Sequence, residues 1–253
     1  MFKLVLSDKD IQKVRTFCAH GFFGARINTA IAAYGTDERF VRTWYEESDG
    51  KVLGVMQLTE DNAVVQCAQN VDMESLCSLL RFVGAHHVTG EAQTMRMMPF
   101  TVANGGVLMQ ASSVANCNTK AVLLDAEQLR SLFSVLFPDR DVQNARRAFA
   151  SWYADLSHRV RHGLCDCFAV MEDDEAVSCA SVLYSNAQYG CIGAVATRID
   201  RRHNGLACEC TLAAAQSVLQ SGLIPCLACE NGIAKMYEQI GFSVCGEWTE
   251  LTV

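Results

Sequence analysis

Arg202, Gly205 and Ala207 fall in the order Arg-x-x-Gly-x-Ala, after an apolar run at 192–196 and before an alanine-rich stretch. Cys208, Leu212, Ala215 and Leu219 then recur at helical spacing, and Gly222 stands where a helix would stop. The segment reads strand, loop, helix. Backbone N–H groups at a helix N-terminus lack intrahelical partners and sit at the positive end of the helix dipole, which suits an anion such as a diphosphate. Gly205 and Ala207 carry too little bulk to hold a phosphate off that backbone. Downstream, 225–228 reads as a short strand, and Asn231 opens a short helix that bears Tyr237 and closes in Gly241-Phe242. A phenol with its ordinary pKa near ~10 is protonated at neutral pH and can deliver a proton to a departing anion. Tyr237 also shares an apolar stripe with Ile233, Met236 and Ile240, so a core position accounts for it equally. The two roles are compatible when the ring is buried and the hydroxyl faces a cleft. Asn231 suits either a hydrogen bond to a bound group or a helix cap.

These two ordered motifs resemble those of the GNAT superfamily of N-acetyltransferases, which bind acetyl-CoA. Arg202-x-x-Gly205-x-Ala207 matches the family's Arg/Gln-x-x-Gly-x-Gly/Ala loop, and 231–242 matches its Asn-led helix that carries a Tyr and ends in Gly-Phe. The resemblance implies that Arg202, His203, Asn204, Gly205, Leu206 and Ala207 hold the CoA diphosphate. It implies that Val195 and Thr197 pair their backbones with pantetheine, with an N–H near Val195 facing the thioester carbonyl. Asn231 would touch the cofactor, and Tyr237 would act as general acid on the leaving thiolate. His203 stands where this motif often has glycine, and Arg198 where many relatives have proline. No metal is expected. A general base is not singled out, since Glu172, Asp173, Glu175 and Glu230 qualify by charge alone.

Other chemistries fit less well. Cys226-x-x-Cys229 would be a redox pair only at the opening of a helix, and Cys226 lies in an expected strand. Cys165/Cys167 with Cys208/Cys210 lack matched knuckle spacing for a metal. Burial as small hydrophobes is the simpler account of these thiols. His158 and His162, four apart, could share a metal only with further ligands. A dinucleotide fold would want more glycines than 202–207 supplies.

The elements that must position these residues follow from pattern. In the first half, 8–19 is helical, 40–46 and 52–59 are strands about an Asp49-Gly50 turn, 63–68 is a third strand, 73–82 a helix and 86–89 a strand. The second half repeats the order: strand 121–124, helices 126–137 and 141–161, strands 165–171 and 176–184 about Asp173-Asp174, then strand 188–197 before the loop. The chain therefore reads as an α/β protein of two GNAT-like halves, each a mixed, mostly antiparallel sheet flanked by helices. They divide within 106–120, giving a first half at 1–120 and a second at 121–253. The first has lost the cofactor loop, for only Gln69-Asn70-Val71-Asp72 separates its third strand from the helix, and it lacks the closing Tyr. An unrelated accessory domain is the alternative for 1–120.

Composition bounds the partners. A net charge of −7 argues against nucleic acid, and no apolar run reaches membrane-spanning length. Thirteen cysteines, an odd number, without a basic-then-apolar leader point to reduced thiols in a cytoplasm. The expected activity is acetyl transfer from acetyl-CoA to a primary amine, with a non-catalytic acyl-CoA-binding or regulatory module as the competing class. The resemblance puts the acceptor near Pro138-Asp139-Arg140-Asp141, with Trp152, Tyr153, Tyr184 and Tyr189 available to line a cleft. A homodimer is compatible with all of this.

Overall fold

The computed structural model describes residues 1–36, 41–115, 118–138 and 142–253. Local signals place the first elements. Ser7 caps helix α1 (Asp8–Phe17) in a reciprocal box: its hydroxyl accepts from Asp10 N while the Asp10 carboxylate accepts from Ser7 N, both at 3.2 Å. Helix α2 (Phe22–Tyr34) follows, then strands β2 (Val41–Ser48) and β3 (Lys51–Thr59). Asp49 and Gly50 join them with φ of 50° and 75°, the left-handed pair a two-residue hairpin needs. Strand β4 (Asn62–Cys67), helix α3 (Met73–Phe82), strand β5 (His87–Glu91), the short α4 (Ala92–Met95) and β6 (Thr101–Gln110) complete this part, with the short β1 (Lys3–Leu4) at its edge. Phe40, the expected start of the β2 strand, lies outside the described residues.

The second half supplies β7 (Val122–Leu124), α5 (Phe133–Leu136), α6 (Val142–Arg161), β8 (Asp166–Glu172), β9 (Glu175–Ser185), β10 (Tyr189–Thr197), α7 (Leu206–Gln220), β11 (Ile224–Cys229), α8 (Ala234–Glu238) and β12 (Ser243–Thr252). The helix expected at 126–137 is instead a 3₁₀ turn, Gln128–Leu132, followed by the single turn of α5. Asp125 tightens its start by accepting from both Glu127 N and Gln128 N at 2.9 Å, and Pro138 drives Phe137 out of helical geometry, with φ −127° and ψ 58°.

All twelve strands among the described residues form one sheet in the order β1-β2-β3-β4-β5-β12-β6-β11-β10-β9-β8-β7. Each half sends its last strand into the other's ladder: β12 pairs with β5, and β6 with β11, the two meeting antiparallel at the centre. Periodicity does not reveal β6, because Asn104-Gly105-Gly106 reads as a turn. Gly106 is in fact a packing requirement, since a Cβ there would stand 2.1 Å from the Cys229 carbonyl oxygen. The strand therefore continues to Gln110, through residues that the sequence marks as linker.

The faces of this sheet have different covers. Helix α7 packs on β8 to β11, burying Leu206, Cys210 and Ala213 among Phe168, Val170, Ile192 and Leu227. The alternate residues Cys167, Ala169 and Cys179 point to the opposite face, under Leu129, Leu132 and Leu156. That same face, at Cys191 and Cys226, receives Ala25 from α2 of the first half. The cysteines are thus core material: most of those described are buried, and all of those described are free thiols. No described helix is long and apolar enough to cross a membrane.

Candidate functional site

A wedge opens in the second half of the sheet. Strands β10 and β11 run parallel and are registered only from Tyr189↔Ile224 to Ile192↔Leu227, yet β10 continues to Thr197 and β11 to Cys229. On its other side β10 stays paired with β9 through Thr197↔Ser178, with register shifts at Cys191/Ile192 and at Gly193/Ala196, where Ala194 takes φ 49°. Ser178 pins that edge by donating to Ala196 O at 3.0 Å and bonding Thr197 Oγ1 at 2.8 Å. Beyond Ile192 the backbone of β10, with the half-buried Val195 and Thr197, therefore faces a gap rather than a neighbouring strand.

At the end of β10 the chain turns into the Arg-x-x-Gly-x-Ala loop. A 3₁₀ turn, Ile199–Arg201, leads to Arg202, whose Nε donates to Thr197 O at 3.3 Å. Asn204 folds inward, its amide donating to Arg201 O at 3.1 Å and Arg202 O at 3.2 Å, so it shapes the loop. His203 and Gly205 both take left-handed backbone, with φ of 64° and 76°. Gly205 is the N-cap of α7, and no side chain caps the helix there. The first helical N–H with a backbone acceptor is that of Glu209, to Gly205 O at 3.1 Å. A Cβ built on Gly205 would meet nothing within 4 Å. The mouth of α7 is thus an open patch of N–H groups at the positive end of fifteen helical residues. Leu206 is buried below it, and Ala207 is half-buried. Of the three arginines around the loop, Arg198 pairs with Asp200 and Arg201 with Glu172 and Asp200, whereas Arg202 has no carboxylate partner among the described residues.

Tyr237 sits on α8 with 4% of its surface exposed, edge-on to Phe242 at 6.2 Å. Burial pushes its pKa up to about 12, the thiols of Cys229 and Cys208 adding to the shift. Those thiols lie at the end of β11 and in the first turn of α7, so the ring is lodged between one wall of the wedge and the helix mouth. Its hydroxyl has no hydrogen-bond partner among the described residues and is not among the fully enclosed polar atoms. Core residue and accessible hydroxyl therefore coexist. Asn231 is exposed in a 3₁₀ turn, Asn231–Ile233, where no side-chain cap bond forms, which leaves capping without support. Among the acids weighed as bases, Glu172 is bound to Arg201 at 2.8 Å and Glu230 is exposed. His158 Nε2 bonds Ala33 O at 3.1 Å and His162 Nδ1 bonds His158 O at 2.8 Å. No group of three or more His, Cys, Asp or Glu able to hold a metal occurs among the described residues.

The first half repeats the wedge and fills it. Strands β4 and β5 are parallel only from Asn62↔His87 to Val64↔Thr89. Val65 Cγ2 and Met95 Cε crowd the place of a Gly90 side chain, at 2.8 and 3.0 Å. The matching helix α3 is closed by an acid: Asp72 accepts from Ser75 N at 3.0 Å, and Glu46 accepts from Asp72 N at 2.8 Å. A carboxylate at that N-terminus occupies the N–H groups and repels a second anion. Met95 stands five residues before Phe100 on α4, as Tyr237 stands five before Phe242, and it has no proton to give.

Between the halves lies a cavity of 870 Å³, walled by α2, α6, the ends of β2 and β3, and Tyr184 of β9. Trp152 and Tyr184, two of the four aromatics weighed for an acceptor cleft, line it. The other two aromatics do not: Tyr153 donates to Ala126 O at 3.2 Å and Tyr189 to Gln110 Oε1 at 3.5 Å, while residues 139–141 lie outside the described residues. Arg26 and Gln57, which also line the cavity, carry no local signal in the sequence, because only the fold brings α2 against the second half and β3 to the same cavity.

A family model described as GNAT acetyltransferase matches residues 121–251. No curated protein matches the chain. Three of the solved structures that are similar in fold illustrate the likeness. An acetyltransferase from the GNAT family of Colwellia psychrerythraea has a TM-score of 0.61 at 12% identity, covering 100% of this chain and 99% of that one. A tandem GNAT protein from the clavulanic acid biosynthesis pathway has 0.62 at 12%, covering 100% and 98%. A GCN5-related N-acetyltransferase from Kribbella flavida has 0.57 at 15%, covering 79% and 86%.

Proposed function

The chain belongs to the GNAT acetyltransferase family, and on that premise we propose that its second half moves an acetyl group from acetyl-CoA to the primary amine of an acceptor. The observation that carries this reading is the uncapped mouth of α7 beside an open wedge, set against the acid-capped α3 beside a filled one. The diphosphate lies on the N–H groups of Gly205 to Cys208, with the Arg202 guanidinium beside it. Pantetheine fills the wedge against the backbones of Val195 and Thr197, with Asn231 at its rim. The amine lone pair attacks the thioester carbonyl carbon, and an N–H near Val195 receives the developing oxyanion. When the C–S bond breaks, the electron pair leaves on sulfur and Tyr237 donates its proton there, while the new amide releases one to solvent. A phenol held protonated by burial is suited to that step. Residues 1–120 act as a degenerate half that supports the sheet through the strand exchange. The reduced thiols fit a cytoplasmic setting.

The test is loss of thioester absorbance from acetyl-CoA with a panel of primary amines, with acetylated product identified by mass spectrometry. Turnover on at least one amine supports the transferase. Tight acetyl-CoA binding with no turnover on any amine would leave an acyl-CoA-binding module instead.

A further inference from the structure

The cavity between the halves has a chemistry of its own. Arg159 is buried at its wall and fully engaged: it pairs with Asp155, donates to Leu183 O at 2.8 Å and lies over Tyr184. Tyr34 donates to Asp155 as well, so that carboxylate is neutralised in place. Arg26 is different. It is half-buried on α2, stacked over the Tyr184 ring at 5.9 Å, and has no carboxylate partner among the described residues. Its guanidinium presents a planar fork of donors to the cavity, the geometry that receives a carboxylate in two parallel hydrogen bonds. Gln57, only 2% exposed, spends its amide N–H groups on Ile27 O and Thr43 Oγ1, leaving Oε1 without a partner in the cavity wall, and that oxygen is not fully enclosed. A buried acceptor of this kind suits an N–H donor on a ligand. The volume, 870 Å³, falls within the range of small-molecule sites.

Its position bears on the reaction. Tyr184 stands opposite Cys191 on β10, one residue before the last β10–β11 pair and so at the root of the wedge. Adjacent strands are roughly 5 Å apart, which puts the cavity within a side chain's reach of the place where the thioester is expected. It opens on the face covered by α2 and α6, opposite to the one covered by α7, so cofactor and second ligand approach from different sides.

We propose that this cavity takes the acceptor, and that the acceptor is an amine that also carries a carboxylate, seated on Arg26 against the Tyr184 ring. The inference rests on the transferase reading for the word acceptor, but the carboxylate site does not depend on turnover. Calorimetry with the full chain tests it, using two matched pairs of probes: 4-(aminomethyl)benzoate with its amide, and the dipeptide Lys-Phe with its C-terminal amide. The acid of each pair should bind at least tenfold tighter than its amide. Arg26→Ala should erase that difference, Arg26→Lys should keep part of it, and both variants should melt near the wild-type temperature. Equal binding of acid and amide, no binding of either at millimolar concentration, or an unchanged preference in a folded Arg26→Ala would overturn the proposal. Titration with acetyl-CoA in the same experiment reports on the α7 mouth alone. Acid-selective binding without acetyl-CoA binding would therefore sink the transferase while leaving the carboxylate site standing.

Discussion

Replacing Gly205 by glutamate puts a second anion where the diphosphate is expected. Gly205 has φ 76°, so any L-residue there is strained, by about 1–2 kcal/mol, and that loss falls on folding. Steric cost within the protein is small, because nothing stands within 4 Å of the new Cβ. The effect on binding is electrostatic and steric together. A carboxylate about 6 Å from a diphosphate of two charges, at an effective dielectric of about 40, opposes it by about 2.8 kcal/mol, which is about a hundredfold in affinity. Gly205→Ala shares the strain without the charge and is the control. Calorimetric titration with acetyl-CoA at low ionic strength should show the hundredfold loss for Gly205→Glu and at most a few-fold loss for Gly205→Ala, with both proteins folded by thermal melting. Raising salt to about 1 M shortens the screening length to about 3 Å and should recover most of the charge component. An affinity for Gly205→Glu within threefold of wild type would refute the assignment of the α7 mouth.

Tyr237→Phe should leave acetyl-CoA affinity unchanged and lower kcat by about 10²–10⁴-fold, and an unaltered kcat would remove Tyr237 from the proton path. The same residue shapes the alkaline stability limit. Its folded pKa, about 12, lies above the unfolded value, so stability is complete below about pH 10 and falls by up to about 3 kcal/mol as pH rises through 12. Tyr237→Phe should lessen that alkaline loss in denaturant titrations at pH 9 and above. Gly106→Ala would drive a methyl into the Cys229 carbonyl at 2.1 Å, and should destabilise by about 3 kcal/mol or prevent folding; a melting temperature like that of wild type would contradict this close approach of β6 to β11. Asp72→Ala should cost about 1 kcal/mol by uncapping α3 while leaving the KM for acetyl-CoA unchanged, and a raised KM would bring the first half into the cofactor site.

What the sequence makes legible is local. Asp49-Gly50 and Asp173-Asp174 announce their hairpins because left-handed backbone selects few residue types. The span of α3 follows from its periodicity, and the loop at 202–207 from its chemistry. Long-range pairing is what local pattern cannot carry. The strand exchange joins β12 to β5 across more than 150 residues, and Gly106 looks like a turn until Cys229 is seen against it. The same limit hides the cavity, since Arg26 and Tyr184 belong to different halves and neither is unusual on its own. Residue type alone makes Trp152, Tyr153, Tyr184 and Tyr189 equal candidates for a cleft placed by resemblance, and Tyr153 and Tyr189 show why that overpredicts: a tyrosine can satisfy its hydroxyl in many places.

The most direct test of the account is a crystal structure of the chain grown with acetyl-CoA. Diphosphate oxygens should lie within about 3.2 Å of the backbone nitrogens between Gly205 and Cys208, with pantetheine running between β10 and β11 toward Tyr237. A cofactor bound elsewhere, or a wedge and helix mouth left vacant at saturating acetyl-CoA, would contradict it.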